Sequence, residues 1–154
     1  MRGRPKVVLA RNYEEAMELY KAHRDNTIGV ISDCRFPLDG QIDPEAGLKL
    51  LQELKADNEY LPVILQSSET ASLEKAQALH FHTIDKNSKA MNVMLRKQMA
   101  EHMGFGDFIF INPVTREPIL RVSNLKELQD NIFKIPNDSM LYHISRNHMS
   151  RWLC

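Results

Sequence analysis

The stretch GVISDCRFPLDG, residues 29–40, sets a single carboxylate at the end of an apolar run. Asp33 directly follows this run, and Pro37 lies four residues further on. Ionised carboxylates are rarely buried, so Asp33 is expected to lie where the chain leaves the core of the protein. Residues 27–32 therefore predict a buried strand, and Asp33 is a candidate functional residue at its end.

Length and composition are those of a globular protein with one core and an appendage. The 154 residues are 43% apolar and 26% charged, and 20 basic residues balance 20 acidic ones. Because the charges cancel, the overall balance favours neither a nucleic acid nor an anionic membrane as partner.

The sequence carries no recognisable targeting or membrane-spanning segment. Its apolar runs fall well short of the ~18 residues that a membrane helix needs. The opening MRGRPK is basic but lacks the apolar region of a secretory signal. We therefore expect a cytoplasmic protein whose two cysteines, Cys34 and Cys154, are free thiols.

Strand and helix patterns alternate over the first two thirds of the chain. Short, almost wholly apolar runs are followed by segments whose apolar residues recur at helical spacing. This alternation predicts an α/β protein with a parallel sheet covered by helices on both faces. The predicted strands are residues 5–10, 27–32, 61–67 and 81–86, and the predicted helices are residues 12–26, 43–58, 70–79 and 90–103.

The pattern changes in the last third of the chain. Residues 107–123 read as two strands joined by a turn, which is typical of an antiparallel hairpin. Helical patterns follow at residues 124–135 and 136–154. The sequence therefore predicts two domains, an α/β domain over residues 5–103 and a hairpin with a two-helix extension over residues 104–154.

Three polar side chains follow three successive strands of the predicted sheet. Asp33, Ser67 and Lys86 each stand at the end of one strand. Ligand sites in open parallel sheets lie beyond the carboxyl ends of the strands. There a carboxylate can accept a phosphoryl group, an ammonium can pair with its charge and a hydroxyl can donate a hydrogen bond. Ser67 has an alternative role as the cap of the next helix.

These residues resemble the receiver domain of two-component response regulators. That family has a phospho-accepting aspartate with a proline four residues later, a serine or threonine ending the next strand, and a lysine ending the strand after it. The matching positions are Asp33, Pro37, Ser67 and Lys86. The resemblance implies a three-layer flavodoxin-like fold, Asp33 as phosphoacceptor, Ser67 and Lys86 as phosphoryl contacts, and a histidine kinase or other phosphodonor as partner.

The chain also departs from the receiver pattern. It lacks the family's first strand and helix, and with them the acidic pair that holds Mg²⁺ for phosphoryl transfer. Mg²⁺ is therefore expected only in a full-length protein, with no metal site in this chain. Residues 38–46 form a longer loop than usual, Asn87 stands where proline usually follows the lysine, and Thr83 stands where a signalling aromatic usually lies.

The missing strand leaves a gap in the predicted sheet. Residues 5–10 can move inward to pair with residues 27–32, or a second copy of the chain can supply a strand, because strand backbone groups require partners. A homodimer is therefore one expected arrangement.

A broader resemblance rests on five segments, which are GRPKVVLARNYEEA, GVISDCRFPLDG, PVILQSSE, FGDFIF and LYHISRNHMSRWL. Together they resemble the amino-terminal regulatory region of pyruvate phosphate dikinase and phosphoenolpyruvate synthase-like proteins. The resemblance implies a regulatory module that accepts phosphate on Asp33 in the full-length protein and controls an attached enzyme through the domains that follow. The alternative is a pseudo-receiver that acts only as an interaction or linker domain. Lacking a glycine-rich phosphate loop, the chain itself is not expected to be an enzyme.

The histidines receive structural interpretations. His80 and His82 share one face of a strand, but the sequence shows no third ligand for a metal. His143 and His148 are five residues apart, which separates them on a continuous helix. We expect both to lie on a polar helix surface, with contact to a following domain as the second option.

Overall fold

The computed structural model of the protein describes residues 6–153 and shows a mixed α/β fold with a three-stranded parallel sheet. The predicted α/β class and the parallel pairing are confirmed. The chain divides into two compact units, whose described parts are residues 6–96 and 97–153. The division falls within a helix, and the domain boundary predicted between residues 103 and 104 stays a prediction. Across residues 6–153, no helix combines the length and the apolar character that a bilayer span requires.

The first unit contains the parallel sheet and the helices around it. The predicted strands at residues 27–32, 61–67 and 81–86 are all present, with each end within three residues of its expected position. A 3₁₀ turn, Arg24–Asn26, follows the first helix. The elements are α1 (Tyr13–His23), β1 (Val30–Asp33), β2 (Phe36–Leu38), β3 (Gln41–Asp43), α2 (Ala46–Asp57), β4 (Val63–Ser67), α3 (Thr70–Ala78), β5 (His82–Asp85) and α4 (Met91–His102), the last of which crosses the division.

The sheet of the first unit has the order β1-β4-β5, with all three strands parallel. Val63 and Leu65 of the central strand β4 face a core that includes Leu51 of α2 and Ala76 of α3. Ile64 lies on the opposite face of β4 by strand alternation and is also fully buried. Burial on both faces explains why the first three residues of β4 are all apolar.

The predicted strand at residues 5–10 is wrong for the residues that the structure describes. Residues 6–10 adopt no regular secondary structure, and β1 pairs only with β4 within residues 6–153. Val7 and Leu9 are 82% and 81% exposed. A β-branched run forms a strand only where a neighbouring strand takes up its backbone groups, and here none does. The expected inward shift of this segment onto β1 is therefore not observed.

The predicted long loop over residues 38–46 is a short hairpin instead. Strands β2 and β3 pair in antiparallel fashion, with Leu38 opposite Gln41. Asp39 and Gly40 form the two-residue turn with φ angles of 51° and 75°. Positive φ at both central residues is the geometry of a type I′ turn, which the pair Asp-Gly favours.

The second unit is built on an antiparallel hairpin, which confirms the prediction for residues 107–123. Phe108 and Phe110 of the first strand pack with Val122, Leu128 and Trp152 in a separate core. The indole N–H of Trp152 donates to the carbonyl oxygen of Gly106 at 2.8 Å, so the end of the described chain is docked on this core. The elements are β6 (Phe108–Ile111), β7 (Pro118–Val122), α5 (Leu125–Asn131), α6 (Asn137–Ser145) and α7 (His148–Leu153).

The predicted two-helix extension is wrong, because three α-helices follow the hairpin. The helix expected over residues 136–154 breaks after Ser145, and Asn147 adopts a φ of 56°. Asparagine tolerates this left-handed conformation better than most residues and often ends a helix. A new helix, α7, begins directly afterwards at His148. Cys154 lies outside the described residues, whereas Cys34 is a free and buried thiol, as predicted.

Replacing Gly47 with alanine is expected to destabilise the protein strongly. A Cβ at this position would lie 1.9 Å from the carbonyl oxygen of Asp33, so helix α2 would have to move away from β1. We expect a loss of about 3 kcal/mol in the free energy of unfolding, measured by urea denaturation.

The matched control is Gly40→Ala in the hairpin turn. No atom lies within 4 Å of a Cβ built there, so only the strain of a positive φ should cost stability, about 1 kcal/mol. If Gly47→Ala is no more destabilising than Gly40→Ala, the close packing of α2 on β1 is contradicted.

Candidate functional site

The carboxylate of Asp33 lies at the carboxyl end of the parallel sheet, where β1 stops. Its Oδ1 accepts a hydrogen bond from the backbone N–H of Cys34 at 2.9 Å, and its Oδ2 lies 2.5 Å from Nζ of Lys86. The side chains of Asp33 and Lys86 are 44% and 33% exposed. The sheet therefore brings two of the three predicted site residues together in a solvent-accessible ion pair.

The lysine is positioned by the end of the central strand. The backbone N–H of Lys86 donates to the carbonyl oxygen of Ser67 at 2.9 Å. Asn87, at the position where receivers usually carry proline, donates from its side-chain amide to the carbonyl oxygen of Ser68, also at 2.9 Å. Because β4 lies between β1 and β5, these bonds hold Lys86 at the same edge of the sheet as Asp33.

Ser67 contributes its backbone to this site, while its hydroxyl has another partner. The side chain is buried, and Oγ accepts a hydrogen bond from the backbone N–H of Glu69 at 3.1 Å. In the sheet register Asp33 pairs with Gln66, so Ser67 lies one residue further along and its side chain faces the other side of the sheet. The hydroxyl thus closes a turn with Glu69, the residue that precedes α3, and its contact with a phosphoryl group stays a prediction.

The amino-terminal turn of α2 closes the site from one side. The backbone N–H of Gly47 donates to the carbonyl oxygen of Cys34 at 2.9 Å. The thiol of Cys34 donates to the carbonyl oxygen of Pro44 at 3.2 Å. Burial raises the pKa of this thiol, so it is protonated at neutral pH and fills space as a small apolar group.

The hairpin after β1 carries further carboxylates, which pair with lysines. Asp43 Oδ2 lies 2.5 Å from Nζ of Lys49, and this hydrogen bond lowers the pKa of the carboxyl group. Glu45 pairs with Lys75. Within residues 6–153, no three histidine, cysteine or acidic side chains are grouped so that they could hold a metal ion. The residues present therefore do not by themselves make the Mg²⁺ site of a receiver.

The second unit contains a histidine pair that sequence reasoning missed. His143 is buried and His148 is partly buried, and their Nδ1 atoms lie 3.0 Å apart. The prediction that both lie on a polar helix surface is wrong, because the helix breaks at Asn147 and α7 turns His148 back towards His143. The Asn147 break is the signal that could have found this pair.

Hydrogen bonds fix the protonation of the pair. Ile111 pairs with Pro118 in the hairpin, and proline has no N–H to donate, so the carbonyl oxygen of Ile111 accepts from Ser139 Oγ at 2.7 Å instead. The N–H of Ile111 donates to Nε2 of His143 at 3.1 Å. Nε2 is therefore unprotonated, and the neutral ring of His143 carries its proton on Nδ1 and donates it to Nδ1 of His148.

Comparisons with known proteins leave the family of this chain open. No protein-family model matches it, and no curated protein and no solved structure matches it either.

Acid is expected to weaken the protein through this histidine pair. Burial is the main cause that lowers the pKa of His143 and of His148 from 6.5 to about 4. Since the unfolded chain takes up protons near pH 6.5 and the folded chain only near pH 4, the stabilising contribution is complete above pH 6.5. It is lost as the pH falls from 6.5 to 4, with a slope of at most about 1.4 kcal/mol per pH unit for each ring.

Nuclear magnetic resonance titration of the histidine rings measures this directly. We expect the ring of His143 to stay neutral at pH 5.5, and a His143→Gln variant, which keeps an acceptor for the N–H of Ile111, to lose part of the acid sensitivity. Protonation of His143 near pH 6.5 would contradict the burial and the hydrogen bonds described above.

The ion pair of Asp33 and Lys86 is expected to contribute little to stability. Both side chains are partly exposed, and pairs of this kind contribute about 0.2–1 kcal/mol in double-mutant cycles. A cycle of Asp33→Asn, Lys86→Gln and the double variant, followed by urea denaturation, measures the coupling. A coupling free energy above about 2 kcal/mol would instead show that the pair behaves as a buried, stabilising salt bridge.

Proposed function

We propose that this chain is a receiver-like regulatory module in which Asp33 accepts a phosphoryl group within a longer protein. The observation that carries the proposal is the ion pair of Asp33 and Lys86 at the carboxyl edge of a parallel sheet. This edge is where open α/β sheets bind their ligands.

The chemistry of the proposed step uses both members of the pair. A carboxylate oxygen of Asp33 attacks the phosphorus of the donor, the bond from phosphorus to the leaving group breaks, and an acyl phosphate forms. Lys86 then exchanges its carboxylate partner for the phosphoryl oxygens, which carry more charge. Its position is held meanwhile by the backbone hydrogen bond to Ser67.

The proposal includes a finer fold assignment, namely that the sheet belongs to a flavodoxin-like domain of receiver type. Receivers order their strands 2-1-3-4-5, and the order β1-β4-β5 with all strands parallel agrees with the last three. The packing of α2 and α3 against β4 is compatible with this assignment. The acidic pair for Mg²⁺ would come from a preceding segment of the longer protein, as the receiver resemblance implies.

A pseudo-receiver that acts only as an interaction or linker domain is the second candidate. The observation that favours it is that both oxygens of Asp33 already have partners, the N–H of Cys34 and the ammonium of Lys86. In this role the carboxylate links the ends of β1 and β5 and takes part in no chemistry.

Labelling with acetyl phosphate and Mg²⁺ distinguishes the two candidates. The 154-residue chain is expected to remain unlabelled, because residues 6–153 contain no group of three histidine, cysteine or acidic side chains that could hold the metal ion. The product of the complete gene is expected to gain the mass of one phosphoryl group, and an Asp33→Asn variant of it should gain none.

The matched control is Asp43→Asn, which removes another lysine-paired carboxylate from the same unit. This variant should be labelled as fast as the unmodified protein. If the complete gene product is not labelled, or if Asp33→Asn is labelled equally well, the phosphoacceptor proposal fails and the pseudo-receiver stands.

A further inference from the structure

Positive and imidazole side chains converge on Tyr142 in the second unit. The guanidinium carbon of Arg146 lies 4.1 Å from the centre of the tyrosine ring, and that of Arg116 lies 5.2 Å from it. Arg116 also donates a hydrogen bond to the tyrosine hydroxyl. The rings of His143 and His148 contact the same tyrosine edge-on, with centroids 5.1 and 5.7 Å away. These five residues are called the Tyr142 cluster below.

The positive charge of the Tyr142 cluster has no counter-ion among residues 6–153. Neither Arg116 nor Arg146 lies within ion-pair distance of a carboxylate in this part of the chain, whereas Arg121 in the same unit pairs with Asp107. The acids closest in sequence are otherwise engaged. Glu117 accepts from the hydroxyl of a nearby threonine, and Asp138 accepts from the backbone N–H of the next residue.

His148 adds a hydrogen-bond donor beside the two arginines. Because His148 accepts at Nδ1 from His143, its neutral ring carries the proton on Nε2. Among the described residues, no acceptor takes a hydrogen bond from this Nε2–H. Burial is the main cause that lowers the pKa of His148, and the positive charges of Arg151 and Arg146 lower it further, while no carboxylate acts to raise it.

We propose that the Tyr142 cluster binds the phosphate group of a soluble ligand, held by the guanidinium groups of Arg116 and Arg146 and by the Nε2–H of His148. Two guanidinium groups match the two charges of a phosphoryl dianion, and each offers paired N–H donors for its oxygens. Stacking on Tyr142 limits the motion of both arginines before binding, which reduces the entropy that binding costs. The site is independent of Asp33 and of the function proposed above.

Titration of the 154-residue chain with inorganic phosphate tests the site. The readout is the side-chain nuclear magnetic resonance signal of His148 at pH 7, with sodium chloride adjusted to keep the ionic strength constant. We expect a saturable shift of the Nε2–H signal. Arg116→Gln and Arg146→Gln each remove a charge-assisted contact from an exposed position and should weaken binding about tenfold.

Lys126→Gln is the matched control, because it removes one positive charge from an exposed position of the same unit outside the cluster. It should leave phosphate binding unchanged within about twofold. The proposal is overturned by a shift that does not saturate, or by equal weakening in Lys126→Gln. Tighter binding of malonate than of phosphate would overturn the assignment to phosphate, because it would identify a dicarboxylate site.

Discussion

The close contact between helix α2 and the end of β1 determines how the candidate site is built. Gly47 lies so near the carbonyl oxygen of Asp33 that no side chain fits between them, and its N–H bonds to the carbonyl of Cys34. The backbone around Asp33 is thereby held on both sides, by β4 in the sheet and by α2 above it. The carboxylate is left at the open edge, where Lys86 reaches it.

The ion pair of Asp33 and Lys86 has a well-defined position but is expected to contribute little to the free energy of unfolding. Lys86 is held through the backbone of Ser67, and Asp33 through its pairing in β1, so the backbones of both residues keep their places without depending on the ion pair. Their partial exposure keeps the mutual attraction weak and leaves water and solutes access to the carboxylate. This access to the carboxylate is what the proposed phosphoryl transfer to Asp33 requires.

Much of the first unit could be predicted from sequence because its pattern is simple. The central strand β4 is buried on both faces, which requires a continuous apolar run and makes the strand easy to find. Parallel strands end at one edge, so the ends of β1 and β5 had to bring Asp33 and Lys86 near each other. The side of the sheet that Ser67 faces depends on register, and register could not be deduced from strand ends alone.

The wrong predictions have physical causes that the pattern of apolar residues does not show. Residues 6–10 have the composition of a strand, but a strand also needs a neighbour, and none is present among residues 6–153. The hairpin after β1 had a signal in its Asp39-Gly40 turn, which outweighs the shortness of β2 and β3, three residues each. In the last third, the apolar pattern of a helix continues past Asn147, so the asparagine itself was the only sequence signal for the break that brings His143 and His148 together.

Chemical trapping in the natural host tests the central claim most directly. Borohydride reduces an aspartyl phosphate to homoserine, which mass spectrometry locates in the peptides of the purified gene product. The account predicts homoserine at the position of Asp33, and none at Asp43 or Asp85. Recovery of unchanged aspartate at position 33 together with a reduced residue elsewhere would contradict it.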